Sequence, residues 1–100
     1  MEAKVVESGP TARVTVRGDI DEAGAQLLKH HFTERHLGTK KEVVFDFQEV
    51  GYIGSAGLGK LLLFYKDLAV RDGRLKIENA SSIICDLLRE LKLDTLFHLT

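Results

Sequence analysis

Val43-Val44-Phe45-Asp46-Phe47 is a nearly continuous apolar run of β-branched and aromatic residues. It predicts a strand buried on both faces in the middle of a sheet. A glycine-rich turn follows, Tyr52-Ile53-Gly54-Ser55-Ala56-Gly57-Leu58-Gly59. Beyond it Leu58, Leu61, Leu62, Tyr65 and Leu68 recur at the spacing of one helix face. A buried strand passing through a turn into an amphipathic helix, with another strand to come, confines the chain to an α/β fold. Strands joined through helices favour parallel pairing with right-handed crossovers.

The flanking segments extend this pattern. Lys4-Val5-Val6-Glu7 and Ala12 to Arg17 predict two strands, joined by the turn Ser8-Gly9-Pro10-Thr11 into an antiparallel hairpin. Gly18-Asp19-Ile20-Asp21 breaks the second strand. Asp21 is placed to cap a helix from about Glu22 to Leu37, with Ala23, Leu27, Leu28 and Phe32 on its inner face and Gly38 as its stop. The helix after the glycine-rich turn is expected from about Ser55 to Arg71, ended by Asp72-Gly73. Arg74 to Glu78 predicts a short alternating strand. Ser81 or Ser82 caps a third helix, with Ile84, Leu87, Leu88 and Leu91 inward, and Leu96 to Leu99 suggest a last extended piece. The order is β-β-α-β-α-β-α, a mixed sheet with helices packed against it. At 100 residues, without a repeat or linker, one domain over residues 1–100 is expected.

Charge and composition narrow the function. The formal net charge is -1, from 14 basic and 15 acidic residues that form no run of either sign. No nucleic-acid or membrane partner is therefore expected. No apolar stretch approaches the roughly 20 residues of a membrane helix, and Met1-Glu2-Ala3-Lys4 does not look like a secretory signal. A lone cysteine, Cys85, fits a reducing cytoplasm. His30, His31 and His36 lack i,i+4 spacing and read as a solvated helix face, so neither a metal nor a cofactor is expected.

Function is read from Ser55, which admits three roles. It is suited to cap the helix that follows, accepting a backbone N–H. Capping does not account for glycines at 51, 54, 57 and 59, two of which cost the first turns roughly 1 kcal/mol each relative to alanine. Gly54 to Lys60 also satisfies seven positions of the phosphate-loop pattern G-x-x-x-x-G-K-[ST]. Leu61 stands where the magnesium-binding hydroxyl belongs, and seven residues separate Phe47 from Ser55. The third role is a phosphorylation switch. Phosphate adds about -1.5 to -2 charges, which the positive end of a helix tolerates and a docked partner does not. Ile53-Gly54-Ser55-Ala56-Gly57 lacks the first glycine of a G-x-S-x-G elbow, and no enzyme activity is expected.

Four segments together resemble the STAS domains of bacterial anti-sigma factor antagonists. Gly18-Asp19-Ile20-Asp21 is similar to the family's G-E-L-D segment, and Val43 to Phe47 to its apolar strand with an inner Asp or Asn. Ile53 to Gly59 resembles the signature D-S-[ST]-G-L-G, and Leu87 to Leu93 the end of its third helix. The resemblance implies a STAS fold with a four- to five-stranded sheet. It also implies partner switching: the unmodified protein binds an anti-sigma factor that is a serine-protein kinase, and the sigma factor is released. Phosphorylation of the signature serine, here Ser55, ends the complex, and a PP2C-type phosphatase restores it. Partner contact then falls on Asp21, Gly54, Ser55, Ala56, Gly57, Leu58 and Lys60, with Asp46 supporting the loop or facing the kinase. For Asp21 and Asp46, a helix cap and a buried acceptor at a strand end remain equally open. Two positions depart from the signature: Gly54 replaces its aspartate and Ala56 its second hydroxyl. A constitutive scaffold without phosphorylation, or a nucleotide-binding protein using Gly54 to Lys60, are the alternatives.

Overall fold

A computed structural model describes residues Met1 to Thr100. Strands β1 (Glu2–Ser8) and β2 (Thr11–Arg17) form the antiparallel hairpin. Helix α1 (Glu22–Glu34) leads to β3 (Glu42–Glu49), α2 (Ser55–Ala69) to β4 (Arg74–Glu78), and α3 (Ser82–Glu90) follows. The sheet order is β1-β2-β3-β4, with β3 parallel to both of its neighbours. The fold is the expected α/β arrangement with a mixed four-stranded sheet.

Register and pleat decide which face carries the core. Val14 pairs with Phe45 and Phe45 with Ile77. All three are 0–1% exposed and, with Val16, Val43, Phe47 and Leu75, they make one apolar sheet face. Phe64 of α2 stacks on Phe32 of α1 at 4.2 Å and on Phe45 at 5.9 Å, which ties both helices to that face. Ile84 and Leu88 of α3, and Phe97 beyond it, belong to the same core cluster. The helices therefore cover one face of the sheet.

The expectation that β3 is buried on both faces is corrected here. Val44 is buried but stands outside the core cluster, and Asp46 lies beside it on the helix-free face. Charge pairing makes that face soluble. Arg13 donates to Asp46 at 2.8 Å and to Glu78 at 2.9 Å, crossing three strands.

Other boundaries also move. α1 ends at Glu34 rather than Leu37, because His36 adopts a left-handed conformation (φ 52°) and Leu37 enters a short 3-10 turn, Leu37–Thr39. A continued helix would carry Leu37 roughly 140° around the axis from Phe32. The break instead buries it to 1% exposure. Ala23 is exposed, and α1 buries Gly24, Ala25, Leu28 and Phe32. α2 stops two residues early, at Ala69, and its deepest residues are Gly57, Leu61, Phe64 and Leu68. Leu58, Leu62 and Tyr65 lie half-buried on its flank. Leu91 is exposed rather than inward. Leu96 to Leu99 form turns with one bridge, Leu99 to Ile77, in place of an extended piece.

Candidate functional site

Two loops meet beside the first turns of α1 and α2. The first, Gly18 to Asp21, leaves β2; the second, Val50 to Gly54, leaves β3. Gly18 N–H donates to Glu49 at 2.9 Å, Ile20 N–H to the Tyr52 carbonyl at 2.8 Å, and Gly54 N–H to the Ile20 carbonyl at 3.0 Å. Ile20 and Ile53 form an isolated parallel bridge, and their side chains are 0% and 4% exposed. A buried isoleucine in each loop is thus the anchor that holds the two together. Gly57 fits against both: a methyl group there would stand 2.7 Å from Ile20 Cγ2 and 2.9 Å from Ile53 Cγ1. Close packing, rather than backbone freedom, requires this glycine.

Asp21 caps α1, its Oδ1 accepting from the Gly24 N–H at 2.8 Å. Gly54 is the N-cap of α2, with an extended backbone (φ -93°) and no side-chain cap. Ser55 is therefore the first helical residue. The expectation that it caps α2 is corrected: its hydroxyl is not hydrogen-bonded to any protein group, and the side chain is exposed. The N–H groups of Ser55, Ala56 and Gly57 have no backbone acceptor, since the first bond of the helix is Leu58 N–H to the Gly54 carbonyl. Free donors and the helix dipole make this end hospitable to negative charge. Leu58 packs against the core edge, and Lys60 is partly exposed.

Tyr52 was not singled out from the sequence. It is 54% exposed, and its hydroxyl lies 2.8 Å from the position a Cβ at Gly54 would take. A half-exposed tyrosine thus occupies the space beside Gly54, where the signature has its aspartate side chain. Its proximity to a glycine two positions on was the available sequence signal.

Asp46 makes no hydrogen bond to the Ser55 segment. Its Oδ2 accepts from Arg13, and its Oδ1 from the Gln48 N–H at 3.1 Å and the Asn79 amide at 3.2 Å. Asn79 has positive φ (61°), so Asp46 steadies the turn from β4 into α3. Partial burial pushes the Asp46 carboxyl up, but the Gln48, Asn79 and Arg13 bonds and the Arg13 charge outweigh it. The carboxyl is held below its ordinary value.

Six consecutive residues of the phosphate-loop-like stretch, Ser55 to Lys60, are already helical. They do not form an open loop able to wrap a triphosphate. No helix is long and apolar enough to cross a membrane.

The family model described as "Mlab, STAS domain" matches residues 3–99. The chain belongs to the STAS family. Solved structures share the fold of this STAS domain at low identity. Phosphorylated SpoIIAA, described as a Bacillus cell fate determinant, has a TM-score of 0.79 at 15% identity, covering 99% of this chain and 89% of that one. An anti-sigma factor antagonist from Mycobacterium paratuberculosis has a TM-score of 0.83 at 23% identity, covering 98% and 83%. A sulfate transporter family protein from Wolinella succinogenes has a TM-score of 0.77 at 17% identity, covering 92% and 75%. STAS architecture thus serves different proteins, and function has to be argued from the site.

Proposed function

We propose that this STAS domain is an anti-sigma factor antagonist that works by exchanging partners in the cytoplasm, without catalysing a reaction itself. The unmodified form binds an anti-sigma factor that is also a serine-protein kinase, and the sigma factor is released. Phosphorylation of Ser55 ends the complex, and a PP2C-type phosphatase regenerates the binding form. Asp21, Gly54, Ser55, Ala56, Gly57, Leu58 and Lys60 supply the partner face. Asp46 supports the turn into α3 from the opposite sheet face.

One observation carries this reading: Ser55 is exposed and free of hydrogen bonds at the first position of a long helix. The hydroxyl is open to an enzyme, and the product dianion meets free N–H groups rather than a buried wall. The laced loops beneath it let the domain keep its shape while its surface charge changes. A partner seated on the unmodified surface must then desolvate the phosphate. A mismatch of about 3 to 4 kcal/mol lowers affinity by roughly two to three decades. Solved relatives described as anti-sigma factor antagonists support the reading through their shared fold.

The test is incubation with the cognate switch kinase and ATP, followed by mass spectrometry. One added phosphate on Ser55 is expected; modification elsewhere, or none with any kinase of its own cell, contradicts the switch. A constitutive scaffold is the second reading, favoured by the Tyr52 ring beside Gly54 in place of a carboxylate. It predicts no phosphate on Ser55 in protein isolated from its cell under several growth conditions.

A further inference from the structure

The two edges of the sheet end differently. On β4, the Ile77 N–H donates to the Phe97 carbonyl at 3.1 Å, and the Ile77 carbonyl accepts from the Thr100 N–H at 3.0 Å. The segment after α3 thus covers that edge. β1 has no such cover. The Pro10 carbonyl accepts from the N–H groups of Lys41 and Glu42, at 2.7 and 3.3 Å, so the even-numbered residues of β2 face β3 and the odd-numbered ones face β1. Ser8, Val6 and Lys4, opposite Thr11, Arg13 and Thr15, therefore take the bonds to β2. The N–H and carbonyl groups of Ala3, Val5 and Glu7 point out of the sheet, and none has a partner within the protein.

An edge strand usually carries a device against pairing with another chain: a bulge, a proline, short length or outward charge. β1 carries little of this. It is seven residues long and free of proline, and its register with β2 runs unbroken from Glu2 to Ser8. Lys4 is its only lysine. Val6, beside Lys4 on the helix-free face, is 54% exposed. The Glu7 carboxylate is already held by Lys40 at 3.0 Å and Arg35 at 3.4 Å.

We propose that β1 pairs antiparallel with β1 of a second copy of this chain, about a two-fold axis at Val5, joining the two four-stranded sheets into one. The inference does not depend on the partner-exchange reading. Self-complementarity selects a second copy as the occupant. In this register Val5 meets its own counterpart, and Ala3 and Glu7 exchange their backbone groups across the axis, so every outward group of Ala3, Val5 and Glu7 is paired. Lys4 lies opposite Val6 of the other copy, and its aliphatic stem covers that valine. Neighbouring registers are worse. A shift one way sets Lys4 against Lys4 of the other copy, and like charges directly opposite destabilise a sheet. A shift the other way leaves Ala3 opposite the turn at Gly9, without a partner. The formal net charge of -1 opposes association only weakly.

Sedimentation velocity of the full chain from about 1 μM to 1 mM tests this. A monomer is expected to pass into a dimer and nothing larger, because the pairing closes the open edge of β1. Val5→Pro removes an N–H that donates to nothing within one copy. It is expected to keep the fold by circular dichroism and to weaken dimerisation at least about tenfold. Val6→Glu sets a carboxylate opposite Lys4 of the other copy and is expected to tighten the dimer about fivefold. Val6→Lys sets like charges there and weakens it by about the same factor. Both effects fade in about 1 M salt. Val6 is exposed, so these two variants decide the case even where Val5→Pro does not fold. A wild-type chain that stays monomeric to about 1 mM overturns the proposal. If that monomer retains a different protein from its cell and folded Val5→Pro does not, the edge belongs to a strand of that protein. A dimer that responds alike to Val6→Glu and Val6→Lys, or assemblies larger than two, contradict this register.

Discussion

Ile20 and Ile53 form a parallel bridge between the loops that lead into α1 and α2, and Gly57 packs against both side chains. This small apolar joint fixes Asp21 and Ser55 on one platform. Without it, the loop leading into Ser55 would be free to absorb a charge added there by moving. With the joint packed this closely, charge added at Ser55 would stand at the exposed surface, where the proposed partner would meet it.

Gly57→Ala is therefore expected to destabilise the domain by about 1 to 3 kcal/mol through overpacking against Ile20 and Ile53. Helix propensity alone predicts the opposite sign. Urea denaturation of this variant beside wild type decides between packing and propensity.

Asp21→Ala removes the cap on Gly24 and is expected to cost about 1 kcal/mol. Ser55→Ala removes a hydroxyl with no partner, so its stability stays within about 0.5 kcal/mol of wild type. The contrast separates a structural side chain from one free for another use, and thermal melts of both variants measure it.

The Asp46 carboxyl is held below its ordinary value of 3.8. A carboxylate with a depressed folded value contributes stability that is present above the unfolded value and lost as pH falls through the folded one. Asp46→Asn is thus expected to be less stable than wild type at neutral pH, with the gap closing below about pH 4. Denaturation midpoints across pH 2 to 7, roughly the range in which such carboxylates titrate, provide the check. A gap independent of pH contradicts the ion-pair account.

Much of this architecture was legible in the sequence because its signals are local. The hairpin turn, the short β4 and the Ser81 cap lie where expected. What escaped depends on contacts distant along the chain. β3 reads as a fully buried strand, yet Asp46 faces the open side because Arg13, thirty-three residues earlier, compensates its charge. α1 breaks before Leu37 because only a left-handed His36 returns that leucine to the core. Phe64 is at the centre of an aromatic stack that periodicity did not single out. At the site, the glycine-rich motif between strand and helix patterns revealed Ser55 and the glycines around it. It did not reveal that Gly54 is the cap, leaving the Ser55 hydroxyl unused. Ile20 and Ile53 were hidden for the same reason: their importance is to each other.

The most direct test of the switch is calorimetry of the purified partner against the domain unmodified and against the domain carrying one phosphate on Ser55. Affinity is expected to fall at least about a hundredfold on phosphorylation, with the fold unchanged by circular dichroism. Equal affinity for the two forms contradicts the account.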